Sequence, residues 1–454
     1  MSKLNIVILA AGQGTRMKSQ HPKVLHSLGG KPLLGHVIDT ARSLKPAKII
    51  VVYGHGGEQV PATLGCEDVI WVEQAEQLGT GHAVEQAMAA VDDNSTLLIL
   101  YGDVPLLRDT TMAELVRIGE AGFGLLTVHL ADPGGYGRIV RDQHGAVERI
   151  VEDKDASEHE RTIAEVNSGI MCTSAKYMRA WLSQLENDNA QQEYYLTDTI
   201  AMAVKAGVTV KTTHPEAEQE VAGVNSRSQL AELERYYQRQ LAEQLMAGGV
   251  TLVDPARLDI RGEVSTGQDV TLDVNVVLLG KVKLGNNVSI GPGCVIRDCE
   301  IGDNVEIKPM SVIEESIIES GAIVGPFARL RPGARLAADV HIGNYVEIKN
   351  SHIGKGSKVN HLSYVGDTTM GAGVNIGAGT ITANYDGANK HRTIIEDNAS
   401  VGSNSVLVAP VKVSKDATLG AGTILRKQAP EGELTLSVSK QKTISGWQRP
   451  KKKS

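Results

Sequence analysis

The stretch Gly12-Gln13-Gly14-Thr15-Arg16-Met17 has the residue types of an anion-binding turn. Glycines let backbone N–H groups approach a phosphate closely, and Arg16 can neutralise it. Lys23, in Pro22-Lys23-Val24-Leu25, is a second cation within reach. The turn matches neither GxGxxG nor GxxxxGKS/T, and a glycine-rich turn alone is often only a turn. A lone lysine usually faces solvent, so the case for Lys23 rests on the whole motif.

The elements that must position these groups read as alternating strands and helices. Asn5–Leu9, Ile49–Tyr53 and Leu97–Tyr101 are aliphatic runs of strand length, and Pro32–Leu44 and His82–Val91 read as helices. This alternation predicts βαβ units and a mostly parallel sheet over residues 1–225. Ligands of such sheets sit beyond the carboxyl ends of the strands. The glycine turn follows the first strand and Gly102-Asp103 follows the third, so both loops are expected to face one crevice. Residues 226–248 predict a linking helix. Ser226 and Gln229 have capping-box spacing, Leu230, Leu233, Tyr237, Leu241 and Leu245 recur every three or four residues, and Gly248-Gly249 ends the pattern.

From residue 249 to 436 the period changes to six. Leu284, Ile290 and Ile296 are six apart; after a one-residue slip so are Ile301, Ile307 and Ile313. Met370 and Ile376 add a pair, and Val401, Leu407, Val413, Leu419 and Leu425 keep the period. Six fits neither a helix nor a simple alternation; it marks a parallel β-helix of triangular section, one short strand and one turn per hexad. Two stretches are expected to break the register, Gly325–Gly333 and Thr382–Arg392. The second is polar and predicts an extruded loop, a natural place for binding chemistry. Residues 437–454 read as a tail.

Composition agrees. The 454 residues include 48 glycines but only 4% aromatics and two Phe, as expected of many tight turns around a narrow aliphatic interior. The net charge of −7 gives no support for nucleic-acid binding, and the basic Arg449–Lys453 reads as a solvated tail. Cys66, Cys172, Cys294 and Cys299 lack metal spacing and disulfide density, which fits reduced thiols. No segment has the ~20 apolar residues of a membrane helix, and the apolar start is too short for a signal sequence. A cytoplasmic location is expected.

A resemblance sharpens this reading. Leu9-Ala10-Ala11-Gly12-x-Gly14-Thr15-Arg16-Met17 with Pro22-Lys23-Val24-Leu25 resembles the sugar-nucleotide pyrophosphorylase signature. Gln74-x-x-Gln77-Leu78-Gly79-Thr80-Gly81-His82-Ala83, Tyr101-Gly102-Asp103-Val104-Pro105, Gly135-Tyr136-Gly137-Arg138 and Asn167-x-Gly169 continue it in order. With the hexads, the whole chain is similar to the bacterial bifunctional N-acetylglucosamine-1-phosphate uridylyltransferase/glucosamine-1-phosphate acetyltransferases. The resemblance implies a Rossmann-like nucleotidyltransferase domain followed by a left-handed β-helix. It implies Asp103 and Asn225 as Mg²⁺ ligands, an oxygen set that suits this ion; Asp103 could otherwise be a strand-end cap. It implies that Leu9, Ala10, Ala11, Gly12, Arg16 and Lys23 cradle UTP and that Gln74, Gly79 and Thr80 read the uracil. Tyr101, Gly102, Asp103, Gly137, Glu152 and Asn167 would hold sugar and ribose.

For the second half, the resemblance makes His361, in Asn360-His361-Leu362-Ser363-Tyr364, the general base of acetyl transfer. A lone histidine in a solenoid is more often a turn residue, though imidazole does titrate near neutral pH. Arg331, Lys349, Tyr364 and Asn375 would bind glucosamine 1-phosphate. Asn384, Tyr385 and Lys390 from the polar loop would meet acetyl-CoA, with Ala378, Ser403 and Ala421 lining its groove; corner packing is their other reading. The implied assembly is a homotrimer with shared acetyltransferase sites. The product would be UDP-N-acetylglucosamine, a precursor of peptidoglycan and lipopolysaccharide. Some positions depart from common family forms. Gln13 stands for lysine, Gly134 for threonine, Gln192 for glycine, Ala383 for cysteine, and Val438 for an arginine whose charge Lys440 would supply. The alternatives are a single-activity pyrophosphorylase with a structural β-helix, and a non-catalytic assembly protein.

Overall fold

The structure, a computed structural model, describes residues 3–12, 14–54, 56–438 and 441–450. It divides into two compact units, 1–237 and 238–454.

In the first unit, one mixed sheet has the strand order Val210–Thr213, Phe123–His129, Glu165–Ser174, Ser95–Tyr101, Lys3–Ala10, Lys48–Gly54, Val69–Gln74. The pairing is mostly parallel, as expected, but Glu165–Ser174 runs antiparallel to both its neighbours. The hairpin Arg138–Arg141/Val147–Val151 is appended to it. Within Lys3–Ala10 the run Ile6–Ala10 is continuously aliphatic because both its faces are covered. Ile6 and Ile8 pack with Leu34, Val37 and Ile38 of the helix Leu33–Ser43 and with Met112 and Leu115 of Asp109–Glu120. Val7 and Leu9 point the other way, into Ala83, Val84 and Ala87 of Thr80–Ala87 and Met178 of Ala175–Leu182. That second face starts its helix at Thr80, two residues before the sequence pattern placed it.

The helix Arg227–Ala247 begins as its cap predicts. The Ser226 hydroxyl accepts from the Gln229 backbone N–H (3.2 Å). The Gln229 side chain reaches past Ser226 to accept from the Asn225 N–H (2.9 Å), and so fixes Asn225 as well. Leu230, Leu233 and Tyr237 pack within the first unit, and Leu241 and Leu245 within the second. Among the described residues no helix is long and apolar enough to cross a membrane.

The second unit is the left-handed parallel β-helix. On one face Leu272, Ile290, Ile307, Val324, Ile342, Val359, Ile376, Val401 and Leu419 pair in sequence, each coil taking 17 or 18 residues apart from one of 25. Every one of them is buried, and full burial of such a side chain is worth roughly 1.5–3 kcal/mol. The long coil carries the expected loop. Ile381–Ala383 and Thr393–Ile395 stay in register, and residues 384–392 are extruded between them. The break expected at Gly325–Gly333 is absent. Val324, Leu330, Leu336 and Ile342 continue the inward row six apart, and Arg329-Leu330 pairs with Val312-Ile313. Pro326, Phe327, Pro332 and Gly333 fall on the turns between these strands, so they obscure the period in the sequence without interrupting it. Among the described residues no ring enters the aliphatic stack: Phe123 is buried in the first unit and Phe327 is exposed outside the coil. All four cysteines are free.

Candidate active sites

The strands Lys3–Ala10 and Ser95–Tyr101 are parallel neighbours, so their carboxyl ends open side by side. A cavity of about 540 Å³ lies there, lined by Leu9, Ala10, Ala11, Gly12, Lys23, Gln74, Gly79, Thr80, Tyr101 and Asp103. Gly102 N–H donates to Leu9 carbonyl (2.9 Å), which ties the two loops together. Gly79 has a φ of +115°, and a Cβ there would lie 2.7 Å from the Tyr194 carbonyl oxygen; no side chain fits where the chain folds over the pocket. Gln74 donates to the Gly79 carbonyl (3.1 Å) and so holds the same turn.

Lys23 is buried, not solvated. Its ammonium lies 2.5 Å from Asp103 Oδ2 and 2.9 Å from Asn225 Oδ1. Asp103 and Asn225, 122 positions apart in sequence, are brought together by a bond from Val224 N–H to the Asp103 carbonyl (2.9 Å). One carboxylate and one amide oxygen thus converge on a single positive point. All-oxygen donors that share one cation are the chemistry Mg²⁺ selects, so the residues fit that ion. Arg16 and Asn225 line an adjoining cavity of about 300 Å³ that shares Tyr101 and Asp103 with the first.

Gly137, Glu152 and Asn167 line neither cavity but are linked to its Tyr101 wall. Asn167 N–H donates to Gly137 carbonyl (2.8 Å), and the Asn167 side chain accepts from Gly169 N–H (2.9 Å). Gly169, at φ +85°, lies so close to the Tyr101 ring that a Cβ would sit 2.6 Å from it. Glu152 accepts from Thr197 Oγ1 (2.9 Å); burial, with Asp198 and Asp155 nearby, pushes its carboxyl above the usual range. Burial and the charges of Glu152 and Asp103 likewise push the Tyr101 phenol up. Two further residues line the first cavity. Gln77 donates to the Ala11 carbonyl (2.6 Å), and Glu193 closes the cavity beside Gly79. The repeated glutamine in Gln74-x-x-Gln77 was the available signal for the first.

In the β-helix, His361 ends the strand Lys358–His361 at a corner and is exposed. Its Nδ1 lies 3.0 Å from Asn344 Oδ1. An amide oxygen only accepts, so Nδ1 carries the proton and Nε2 keeps a lone pair. Asn344 had no place in the sequence reading; it stands 17 residues earlier, and only strand pairing sets it against His361. The register also aligns Ala378, Ser403 and Ala421, each two residues past the paired Ile376, Val401 and Leu419. Asn344 and His361 occupy the same place after Ile342 and Val359, so one corner column runs Asn344, His361, Ala378, Ser403, Ala421.

Arg331, Lys349 and Tyr364 lie on the adjoining face. Arg331 pairs with Glu347 (2.8 Å), and Lys349 lies 3.6 Å from Asp367. Asn384, buried at the root of the polar loop, donates to Asp367 Oδ2, and Asn350 donates to Oδ1 (both 2.5 Å). Burial raises the Asp367 pKa, but these donors and Lys349 outweigh it and hold the carboxyl below its usual range. The neighbouring Lys349 ammonium depresses the Lys390 pKa. Tyr385 is exposed and donates to the Gly387 carbonyl (2.6 Å). Asn375 is not brought to this group; its strand, Asn375–Ile376, belongs to the face that carries Lys358. Lys440 and Gln13 lie outside the described residues.

A doubly covered sheet with a cation-lined crevice at its carboxyl edge, followed by a hexapeptide solenoid with an oriented imidazole, defines a two-site transferase architecture. Residues 6–168 match the MobA-like NTP transferase domain, and residues 260–342 match the GMPPB C-terminal domain. A Bifunctional protein GlmU from Ralstonia nicotianae is 57% identical over 99% of both chains. Those of Marinobacter nauticus and Ralstonia pickettii are 56% and 58% identical, over the whole of both chains and over 99% of both. The chain belongs to the GlmU family of bifunctional proteins.

Proposed function

We propose that this enzyme makes UDP-N-acetylglucosamine in two transfers. In the first, the amine of glucosamine 1-phosphate attacks the thioester carbonyl of acetyl-CoA. The N–C bond forms, His361 Nε2 accepts the amine proton, and the C–S bond breaks to release coenzyme A. Asn344 keeps Nε2 available, while Arg331, Lys349 and Tyr364 bind the sugar phosphate. Asn384, Tyr385 and Lys390 meet the donor. The small residues Ala378, Ser403 and Ala421, which follow His361 in the same corner column, line the path of the coenzyme A donor. Lys440 supplies a phosphate-facing charge in place of the family arginine.

In the second transfer, a phosphate oxygen of N-acetylglucosamine 1-phosphate attacks the α-phosphorus of UTP, and the bond to the pyrophosphate oxygen breaks. Such chemistry needs positioning and charge neutralisation more than covalent help. Leu9 to Gly12 and Gly102 offer backbone to the nucleotide, Arg16 and Lys23 balance its charge, and Gln74, Gly79 and Thr80 face the base. Tyr101, Gly137, Glu152 and Asn167 hold sugar and ribose. A divalent ion, Mg²⁺ in our reading, would be held by Asp103 and Asn225 and would neutralise triphosphate charge. The observation that carries this half is the convergence of Asp103 and Asn225 on the buried Lys23 ammonium.

We further propose a cytoplasmic homotrimer with shared acetyltransferase sites, and functional boundaries at 1–225, 226–248, 249–436 and 437–454. What supports association is a ridge beside the His361 corner. Met310, Phe327, Tyr345 and Leu362 occupy it in successive coils, each 48% to 64% exposed. All four hold positive φ, and the Phe327 and Tyr345 rings stack at 5.2 Å. Bulky residues in that conformation are strained, and exposed apolar ridges mark contact surfaces.

The test is a paired assay on wild type and His361→Ala. Coenzyme A release is followed with glucosamine 1-phosphate, and pyrophosphate release with UTP, N-acetylglucosamine 1-phosphate and Mg²⁺. Wild type is expected to do both, and the variant only the second. A wild type that never releases coenzyme A would reduce the β-helix to a structural role.

A further inference from the structure

Three side chains that neither transfer uses meet at the carboxyl edge of the first unit's sheet. His129 ends the strand Phe123–His129, Glu165 begins Glu165–Ser174, and the two are directly paired across the sheet. His214 follows Val210–Thr213 on the far side of Phe123–His129. One ligating atom of each lies within 4.8 Å of the other two. We propose that His129, Glu165 and His214 form a site for a divalent transition-metal ion of the zinc class, separate from the oxygen ligands Asp103 and Asn225.

The surroundings are those a metal ligand set needs. His214 Nδ1 lies 3.0 Å from the Thr127 carbonyl oxygen, which can only accept, so Nδ1 is protonated and Nε2 keeps its lone pair. Such a bond from the second ring nitrogen orients most metal-binding histidines. Thr127 Oγ1 donates to Glu165 Oε1 (2.8 Å). Arg141 donates to Oε1 through Nη2 (2.6 Å) and to Oε2 through Nε (2.7 Å). These bonds keep the buried carboxylate ionised and fixed, yet occupy three of its roughly four acceptor positions. One position on Oε2 remains for an ion. The two imidazole rings are 5.6 Å apart and inclined at 42°, so they are tilted toward one another and not stacked flat. Both histidines are exposed while Glu165 is buried, which gives an ion a solvent entry and a protein floor. None of the three lines either cavity beside Asp103.

Donor type separates this site from the nucleotide site. Two imidazoles and a carboxylate suit Zn²⁺, Co²⁺ or Ni²⁺, whereas Mg²⁺ prefers oxygen alone. Three protein ligands leave at least one position for water.

The experiment uses the untagged full chain in saturating Mg²⁺, which occupies the oxygen site. Zn²⁺ binding is measured by calorimetry, and Co²⁺ by its visible absorbance. The variants are His129→Gln, His214→Gln and the double substitution; both residues are exposed, and unfolding curves confirm that the variants fold. Wild type is expected to bind one Zn²⁺ and to give the strong visible band of low-coordinate Co²⁺. Each single variant weakens binding by about tenfold or more, and the double variant abolishes the band. Pyrophosphate release with Mg²⁺ stays at the wild-type rate in all three. An isotherm for the double variant that superposes on wild type, or no saturable binding by wild type, would overturn the proposal while leaving both transfers untouched.

Discussion

Asn344 offers the most direct test of how the β-helix would make a base of His361. Asn344→Ala removes the 3.0 Å acceptor of His361 Nδ1 and leaves the histidine in place. The pair is at the surface and neutral, so the bond is worth about 0.5–1.5 kcal/mol net. If that whole amount is lost from the transition state, kcat/KM for acetyl transfer falls by about 2- to 13-fold, at 1.36 kcal/mol per tenfold. Removal of the base itself, in His361→Ala, should cost about 10²- to 10⁴-fold. Coenzyme A release under kcat/KM conditions separates the two ranges, and pyrophosphate release should not change. Asn344→Asp adds a pH signature. A carboxylate facing Nδ1 stabilises the imidazolium, so less free base remains at neutral pH. The acidic limb of the pH–rate profile should then move to higher pH. An Asn344→Ala variant as active as wild type, or as inactive as His361→Ala, would refute the orienting role, as would a limb that moves down.

Other residues give independent tests. Asp103→Asn should lower pyrophosphate release by roughly 100-fold and raise the Mg²⁺ needed for half-maximal rate, with coenzyme A release unchanged. Gly169→Ala forces a Cβ against the Tyr101 ring at φ +85°; a cost of about 1–2 kcal/mol should lower the melting temperature by several degrees and impair uridylyl transfer first. Tyr345→Asp puts a charge on the apolar ridge and should yield monomers in sedimentation that keep pyrophosphate release but lose coenzyme A release. Asp367 has a folded pKa below its unfolded value, so its contribution to stability is complete above the ordinary carboxylate pKa and is lost as pH falls through the lower folded one. Thermal unfolding of wild type and Asp367→Asn should therefore differ at pH 7 and converge toward pH 3.

The legible parts of this chain are those where one physical constraint repeats. Aliphatic strands buried on both faces announced the sheet, and the six-residue period announced the β-helix, because each inward residue meets the same requirement. Glycine turns betrayed the nucleotide crevice because close backbone approach excludes side chains. The break expected at Gly325–Gly333 failed for the complementary reason. Pro326, Phe327 and Pro332 lie on turns, where the chain imposes backbone angles and no hydropathy, so unusual residues there say nothing of the row beneath. Lys23 was expected among phosphate cations, but nothing local foretold its position between Asp103 and Asn225, since Asn225 arrives through a bond between segments more than 100 residues apart.

The acetyl-transfer corner shows why outward sites resist sequence reading even in a repeat protein. Asn344, His361, Ala378, Ser403 and Ala421 form one column, yet their spacings are 17, 17, 25 and 18 residues. Only the last is a multiple of six. The one-residue slips shorten two coils and the extruded loop lengthens a third, so a strict hexad count would scatter these five residues around the triangle. Strand pairing absorbs both irregularities, since inward aliphatics must stack whatever the turns between them do. The same irregularities are functional in position: the 25-residue coil delivers Asn384 to Asp367 beside Lys349, one face away from His361. Stability fixes the inward rows, and the departures from period then determine which outward residues share a corner.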